Sequence, residues 1–208
     1  MDLSHGLPFA PQKMVIKAGD YSDCKDAQVV VITAGIAQKP GQTRLELAEV
    51  NTKIMKQITE SIMKSGFDGI IIVASNPVDL MTYVVAEVSG LPKNRVIGSG
   101  TVLDTARLRY LMADYLKISS KNIHAYIMGE HGDSSFVPWD HAYVGCKKVK
   151  DVMKDNNHPM EDLEKIHKGV VDAAYEIIEK KKATYYGIGM ALSLSLIHIS
   201  EPTRQAEI

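Results

Sequence analysis

The 208-residue chain lacks several features that would place it in a specialised class. It has only two cysteines, Cys24 and Cys146, far apart and in no metal-like spacing. This favours free thiols in a reducing compartment, with a single disulfide as the minor alternative. No apolar run reaches the ~18–20 residues that span a bilayer. The first residues also lack the basic and apolar regions of a signal peptide. We therefore expect a cytoplasmic protein with no membrane contact.

Net charge is also nearly absent. The chain has 24 Lys and Arg against 25 Asp and Glu, a formal charge of −1. This balance gives no electrostatic reason to expect nucleic acid or an anionic membrane as a partner. Because no cluster of His, Cys or acidic residues has metal-ligand spacing, we expect no metal site. The composition, 45% hydrophobic and 24% charged, is typical of a globular protein.

The chain has no G-x-G-x-x-G motif, the turn that receives a dinucleotide pyrophosphate. It nevertheless contains two β-branched runs without polar alternation, Gln28–Thr33 and Asp68–Ala74, which predict strands buried on both faces. Between them, 45–65 has helical apolar spacing, so the three segments predict a βαβ unit. An α/β fold that never had the motif is the alternative to an incomplete nucleotide-binding domain.

Further sequence patterns predict a domain boundary and the elements in the rest of the chain. After Gly98 the pattern changes from strand–helix alternation to charged helices and short strands, so we expect a domain boundary there. The fold class predicted is α/β: a doubly wound parallel sheet over residues 1–98, then an incomplete α+β domain over 99–193. The further elements expected are a weak strand at Lys13–Lys17, a helix at Val78–Val88, a strand at Arg95–Ile97, a helix at Val102–Leu116, an apolar segment at Ile123–Met128, short strands or turns at Val137–Val144 and Lys147–Val152, and a helix at Met160–Lys182.

Two segments carry residues suited to acid–base chemistry and anion binding. His131 lies in Gly129–Asp133, where flanking glycines allow close backbone approach and histidine exchanges protons near neutral pH. Asp104 and Arg107 share one helix face, so a carboxylate and a guanidinium can point into one pocket. The alternatives are a structural histidine and a surface ion pair.

Two further segments follow predicted strands, where open α/β sheets bind ligands. Ala34–Arg44 contains glycines and a proline, as expected of a loop or lid. Ser75–Asp79 contains Asn and Asp, which also favour turns and helix caps. A surface connection and a capped turn are therefore the alternative interpretations.

Taken in order, these segments resemble the motifs of the lactate/malate dehydrogenase family. The matching stretches are Ala34–Arg44, Asn76–Asp79, Gly98–Arg107 and Gly129–Asp133, and the resemblance runs from Asp2 to about Leu192. It implies a truncated Rossmann-type domain, NAD as cofactor, and reversible reduction of pyruvate to L-lactate.

The resemblance also implies a role for each matched residue. His131 corresponds to the acid/base that protonates the substrate carbonyl, and Asp104 to the carboxylate that holds its imidazole. Arg107 corresponds to the residue that binds the substrate carboxylate, and Arg44 to the one that polarises the carbonyl when the loop closes. Asn76 would contact both substrate and cofactor, and Asn76–Pro77 corresponds to a cis peptide bond in the family.

Substrate choice is implied by one position. Malate dehydrogenases carry arginine where this chain has Gln38, and a neutral side chain there disfavours a dicarboxylate. Thr184 corresponds to another wall of the substrate pocket. A malate dehydrogenase is therefore the less favoured enzyme. The cofactor contacts implied are Tyr21, Gly35, Ile36, Ala74, Ser75, Asn76 and Ser99.

Two positions imply regulation. Arg109 and His124 match residues that bind fructose 1,6-bisphosphate in allosteric bacterial members of the family, which implies a homotetramer. No element of this site is evident from residue spacing alone. Two ordinary polar residues are the alternative interpretation.

The ends of the chain resemble those of a fragment. Residues 194–208 resemble the translation of a sequencing-library adapter, with a strand ended by Pro202 as the alternative, and Met1 resembles an internal methionine. We therefore expect an internal piece of a longer protein that is inactive by itself. The remaining alternatives are a catalytically silent fragment, or a subunit that only binds partners.

Overall fold

A parallel sheet of three strands organises the first half of the protein. The computed structural model describes residues 2–10, 13–36, 44–181 and 184–200. The strands lie in chain order, with Val31 beside Ile72 and Ile72 beside Ile97. They are short and rich in β-branched residues, whose stiff side chains suit extended backbone. The strands are β1 (Val29–Ile32), β2 (Ile70–Val73) and β3 (Val96–Gly98).

Two helices connect these strands. After the short α1 (Asp2–His5), α2 (Arg44–Lys64) joins β1 to β2, and α3 (Val78–Ser89) joins β2 to β3. Parallel crossovers share one hand, so strands in chain order place both helices on one face of the sheet. There α2 and α3 pack against each other. Gly90 ends α3 in the left-handed region at φ 65°, where glycine has no Cβ penalty.

The expected burial of both sheet faces holds for β2 but not for β1. The neighbours Ile71 and Ile72, which point to opposite faces, are 0% and 1% exposed, whereas Val31 is 37% exposed. The apolar faces of α2 and α3 close the core on their side of the sheet. This first core contains Ile32, Met55, Ile62, Phe67, Ile71, Val73, Met81, Val85 and Val96.

The second half is an α+β unit with its own core. An antiparallel sheet in the order β4, β5, β6 packs among four helices. Its elements are α4 (Val102–Leu116), β4 (Ile123–His124), β5 (Tyr143–Val144), β6 (Lys147–Lys148), α5 (Val149–Asp155), α6 (Glu161–Lys181) and α7 (Tyr186–Ser200). The core contains Leu108, Met112, Ile123, Ala125, Ile127, Val137, Ala142, Val149, Met153, Leu163, Ile166 and Val170.

Two expectations about local structure and one alternative are wrong. Residues 13–17 were expected to form a weak strand, but they form none and are exposed. Strand β6 ends at Lys148 and α5 begins at Val149, because Val149 and Met153 are buried together at helical spacing. Residues 194–200 continue α7 and form no strand. Residues 201–208 lie outside the described part.

The α/β class, with a parallel sheet followed by an α+β unit, is confirmed. Among the described residues, none of the helices has the length and apolar character needed to cross a bilayer. Within that same part of the chain, no group of three or more His, Cys, Asp or Glu side chains is arranged to hold a metal ion.

Candidate active site

Strands β1, β2 and β3 end at one edge of the sheet, and the segments after them form the floor of the site. The ladder continues past β2, where Ala74 N donates to Ile32 O at 2.9 Å. Ser99 N likewise donates to Val73 O at 2.8 Å. These bonds bring Asn76 and Ser99, which are far apart in sequence, to the same side of the sheet, as parallel topology requires.

Helix α4 supplies the charged wall of the site. Asp104 and Arg107 lie one turn apart, as predicted, and their side chains form an ion pair of 3.2 Å between Oδ1 and a guanidinium nitrogen. Asp104 is 8% exposed although it is charged. Its place in the first turn of α4 puts its negative charge at the positive end of the helix dipole.

The loop between Met128 and Phe136 presents the histidine. Backbone hydrogen bonds in both directions between Met128 and Phe136, of 2.9 and 3.0 Å, close this loop. Gly129 begins it at φ 93°, which side chains with a Cβ rarely adopt. The loop places Nδ1 of His131 at 2.5 Å from Oδ2 of Asp104. The structure thus joins His131, which only the resemblance grouped with this pair, to Asp104 and Arg107.

This contact sets the protonation of His131. The pKa of His131 lies above its ordinary value, first because its ring hydrogen-bonds to Asp104. Burial and the nearby Arg107 charge act in the opposite direction, while Asp79 adds to the increase. A carboxylate only accepts, so Nδ1 is the donor, and Nε2 remains for a substrate.

Asp79 holds the same loop from the other domain. Its Oδ2 accepts a 2.9 Å hydrogen bond from the backbone N–H of His131, 52 residues away in sequence. Sequence reasoning considered Asp79 only as part of a turn and cap. No local pattern reveals this role, because the partner is a backbone amide brought near only by the fold.

A cavity of about 480 Å³ opens at this site. Helix α7 and the residues before it close its far side, and Arg107 is the one guanidinium in the described lining. Thr184 lies on the wall, as the resemblance implies. The described lining is Thr33, Ala74, Asn76, Ser99, Gly100, Leu103, Arg107, His131, Ala174, Thr184, Tyr185, Ile188, Gly189 and Leu192.

The lining fits the nicotinamide end of a dinucleotide. The Asn76 amide and the Ser99 hydroxyl offer donors and acceptors suited to a carboxamide, and Leu103 and Ile188 offer apolar surface for a ring. The cavity lies outside the carboxyl ends of parallel strands, where such folds bind their ligands.

Sequence reasoning also missed a buried polar residue of α2. Asn51 of α2 is 1% exposed, and its Oδ1 accepts from Ile36 N at 2.9 Å while its Nδ2 donates to Asn76 O at 2.9 Å. An asparagine among the apolar residues on the inner face of α2 was the available signal, because buried amides need partners.

The other residues predicted to contact the cofactor or the substrate lie in different parts of the molecule. Ser75 is buried, and its hydroxyl donates to the carbonyl oxygen of Ala34, next to Gly35. Tyr21 is 47% exposed in a short 3-10 helix. Gln38 lies outside the described residues. Arg44 begins α2, but its side chain is not among those described.

Arg109, on α4, contacts the two residues that directly follow His124. Arg109 Nε donates to Ala125 O at 3.1 Å, and its guanidinium lies 4.6 Å from the ring centre of Tyr126. His124 is exposed beside this pair. Ile123 and Ala125 are buried, whereas His124 and Tyr126 are exposed, so this alternation places His124 and Tyr126 on the same outer face.

Comparison with curated proteins gives close relatives. The chain is 58% identical over 193 residues to L-lactate dehydrogenase 2 of Bacillus cereus and 60% identical to L-lactate dehydrogenase 1 of the same species. Each match covers 92% of this chain and 62% of the relative. The chain therefore spans less than two thirds of the length of these relatives.

Solved structures of lactate dehydrogenases also match this chain. A lactate dehydrogenase from a Medee basin deep-sea metagenome matches with a TM-score of 0.88 and 61% identity, over 92% of this chain and 61% of its own. The ligands-bound minor L-lactate dehydrogenase of Enterococcus mundtii matches with a TM-score of 0.88 and 48% identity, over 91% of this chain and 61% of its own.

Two family models cover nearly the whole chain. Residues 1–98 match the lactate/malate dehydrogenase NAD binding domain, and residues 101–206 match the alpha/beta C-terminal domain of the same family. With the fold and the His131 site, these matches show that the chain belongs to the lactate/malate dehydrogenase family.

Proposed function

We propose that the protein containing this chain is an NAD-dependent L-lactate dehydrogenase, which interconverts pyruvate and (S)-lactate. One observation carries the proposal: His131 Nδ1 lies 2.5 Å from Asp104, with Arg107 one helical turn away on the same cavity. An acid/base and an anion-binding group are thereby available to one small substrate.

His131 transfers the proton. Its imidazolium donates from Nε2 to the carbonyl oxygen of pyruvate as the carbon gains a hydride, so the ketone becomes an alcohol. In lactate oxidation the neutral imidazole takes that proton back. Asp104 stabilises the imidazolium and holds the ring in one orientation.

Arg107 orients the substrate. A guanidinium has five N–H donors, and the described contacts of Arg107 use one nitrogen for Asp104. The others can bind the substrate carboxylate through two parallel hydrogen bonds. This would hold the carbonyl carbon at a set distance from His131.

Bound NADH supplies the hydride. Asn76 and Ser99, with the backbone at Ala74 and Ser75, are the residues that we propose hold the nicotinamide end. Gly35, Ile36 and Tyr21 would contact the remainder of the dinucleotide.

We further propose that Gln38, Arg44 and Thr184 complete substrate recognition. The support is that Gln38 is neutral and that Thr184 lines the cavity together with Arg107. Arg44 would polarise the carbonyl, and Gln38 would reject a second carboxylate. Malate dehydrogenase is the second candidate, and Gln38 disfavours it.

Regulation is proposed at Arg109 and His124. Arg109 contacts the backbone directly after the exposed His124, which supports fructose 1,6-bisphosphate as activator, since phosphates bind cationic groups. Binding between subunits of a homotetramer would bring two such sites together. A cytoplasmic location accords with this metabolism.

We propose that the 208 residues alone are inactive and associate nonspecifically. Tyr186 and Met190 of α7 are 76% and 74% exposed, and contiguous apolar surface promotes aggregation. A monodisperse preparation of the isolated chain that oxidises NADH with pyruvate would contradict this proposal.

The test of function uses a completed protein. The 193 matched residues replace their counterpart in Bacillus cereus L-lactate dehydrogenase 2, and NADH oxidation is followed with pyruvate or oxaloacetate. Each assay is run with and without fructose 1,6-bisphosphate. We expect faster NADH oxidation with pyruvate than with oxaloacetate, and a higher rate with pyruvate when fructose 1,6-bisphosphate is present. Faster oxidation with oxaloacetate would identify a malate enzyme.

A further inference from the structure

We propose that Asn51 is a positioning residue that sets the geometry of the nicotinamide side of the site by tying Ile36 to Asn76. The inference rests on the proposed function, because it assigns a role in hydride transfer. Asn51 touches neither substrate nor cofactor in this assignment and acts through the backbone of its two partners.

The segment that ends at Ile36 and the segment that contains Asn76 need such a link, because the backbone hydrogen bonds of the sheet no longer join them there. The last described ladder bond between them runs from Ala74 N to Ile32 O. Beyond it, the hydroxyl of Ser75 reaches the carbonyl oxygen of Ala34. At Ile36 and Asn76, side-chain bonds from Asn51 replace the ladder.

The Asn51 carboxamide satisfies both partners at once. Ile36 offers an N–H to Oδ1, and Asn76 offers a carbonyl oxygen to Nδ2, each at 2.9 Å. A longer contact of 3.4 Å joins Nδ2 to Ile36 O. The orientation of the amide follows from these partners, since the reverse would face donor to donor and acceptor to acceptor.

Burial makes this arrangement rigid. Asn51 is 1% exposed, so water does not replace a lost bond at its side chain, and an unpaired group is costly. The carbonyl of Asn76 is therefore held at a set place. The Asn76 side chain lines the cavity beside Ser99 and His131, so its position depends on this bond.

The diagnostic variant is Asn51→Asp. The ionised carboxylate keeps an acceptor for Ile36 N–H but turns a second acceptor toward the Asn76 carbonyl, which repels it. Protonation restores one donor, and burial raises the pKa of a carboxyl group. Loss and recovery of the Asn76 bond are therefore controlled by pH within one variant, whereas Asn51→Leu removes both bonds at every pH.

Thr59→Val is the matched control. Thr59 lies on α2, is fully buried, and donates its hydroxyl only within the helix, to Met55 O at 2.8 Å. Its substitution removes a buried polar group of the same helix without touching the site. It reports the effect of perturbing α2 alone.

The experiment uses the completed protein described above and measures single-turnover hydride transfer to pyruvate. Misplacement of reacting groups by about 1 Å costs up to about 10²-fold in rate, so Asn51→Asp should lose roughly 10- to 100-fold near pH 8. The ratio of variant to parent rates should rise as pH falls toward about 5. Asn51→Leu should show the loss without the rise, and Thr59→Val should stay within about twofold.

A second readout does not depend on activity. Hydrogen exchange at the Ile36 amide should be slow in the parent, about tenfold or more faster in Asn51→Leu, and unchanged in Thr59→Val. Near-parental hydride transfer or unchanged Ile36 protection in Asn51→Leu overturns the inference. Equal losses in all three variants also overturn it. If the parent fails to oxidise NADH with pyruvate, the proposed function fails, while exchange at Ile36 still tests the tie.

Discussion

Nδ1 of His131 and Oδ2 of Asp104 lie 2.5 Å apart although the residues are 27 positions apart in the chain. The first turn of α4 and the closed loop after Met128 bring them together. This pair raises the pKa of His131 and directs its other nitrogen toward the cavity. The predictions below concern the completed protein and follow from this relationship and its neighbours.

Replacing Asp104 with Asn should shift the pH dependence. Pyruvate reduction needs protonated His131, so in the parent kcat/KM should decline as pH rises through the raised pKa. Asp104→Asn removes the main cause of that increase, so the decline should move to lower pH. Activity near neutral pH should fall by roughly 10²–10⁴-fold, the range of a general acid–base contribution. An unshifted profile would contradict the assignment.

The same pKa shift links pH to stability. A group whose folded-state pKa is raised stabilises the fold fully below its unfolded-state pKa, about 6.5 for histidine. This contribution disappears as pH rises through the raised pKa of His131. Between about pH 6.5 and the raised pKa of His131, the free energy of unfolding measured with urea should depend less on pH in His131→Gln than in the parent.

Asp79 should affect His131 in two separable ways. Asp79→Asn keeps an acceptor for the His131 amide but removes a charge that raises the pKa of His131, so it should move the pH profile down modestly. Asp79→Ala also releases the loop and should lower kcat further. Asp114→Asn, an exposed ion-pair change, is the control. Identical kinetics for both Asp79 variants would show that the hydrogen bond does not matter.

Arg107→Lys should weaken substrate binding despite keeping the charge. Lysine presents a point charge and cannot form the two parallel hydrogen bonds of a guanidinium. Loss of a charged hydrogen bond costs about 1.5–3 kcal/mol, so kcat/KM for pyruvate should fall at least about tenfold. Steady-state kinetics should show the same values for Arg95→Lys, whose ion pair with Asp68 is on the surface, as for the parent.

Core packing predicts a stability difference between two methionines. Met153 is fully buried in the second core, whereas Met160 is 37% exposed. Met153→Ala should lower the free energy of unfolding by about 2–5 kcal/mol, because it leaves a cavity among packed side chains. Met160→Ala should change it by about 0.5 kcal/mol or less. Equal midpoints in a urea titration would contradict this description of the core.

The sequence by itself determined the central elements of the fold. The β-branched runs became β1 and β2, and the apolar spacing after position 44 became α2, because these local patterns match the geometry of strands and helices. It failed at 13–17 and at the start of α5, where short apolar stretches fit more than one structure. The spacing of Asp104 and Arg107 also predicted their shared helix face.

Only the tertiary structure decided which of these residues meet. His131 contacts both Asp104 and Asp79, and Asn51 bridges Ile36 and Asn76, across separations that no local pattern encodes. Three of these four contacts use a backbone group. Every residue carries such groups, so no residue type in the sequence indicates these contacts. Local patterns arise from short-range geometry, whereas the site depends on where strand ends and loops converge.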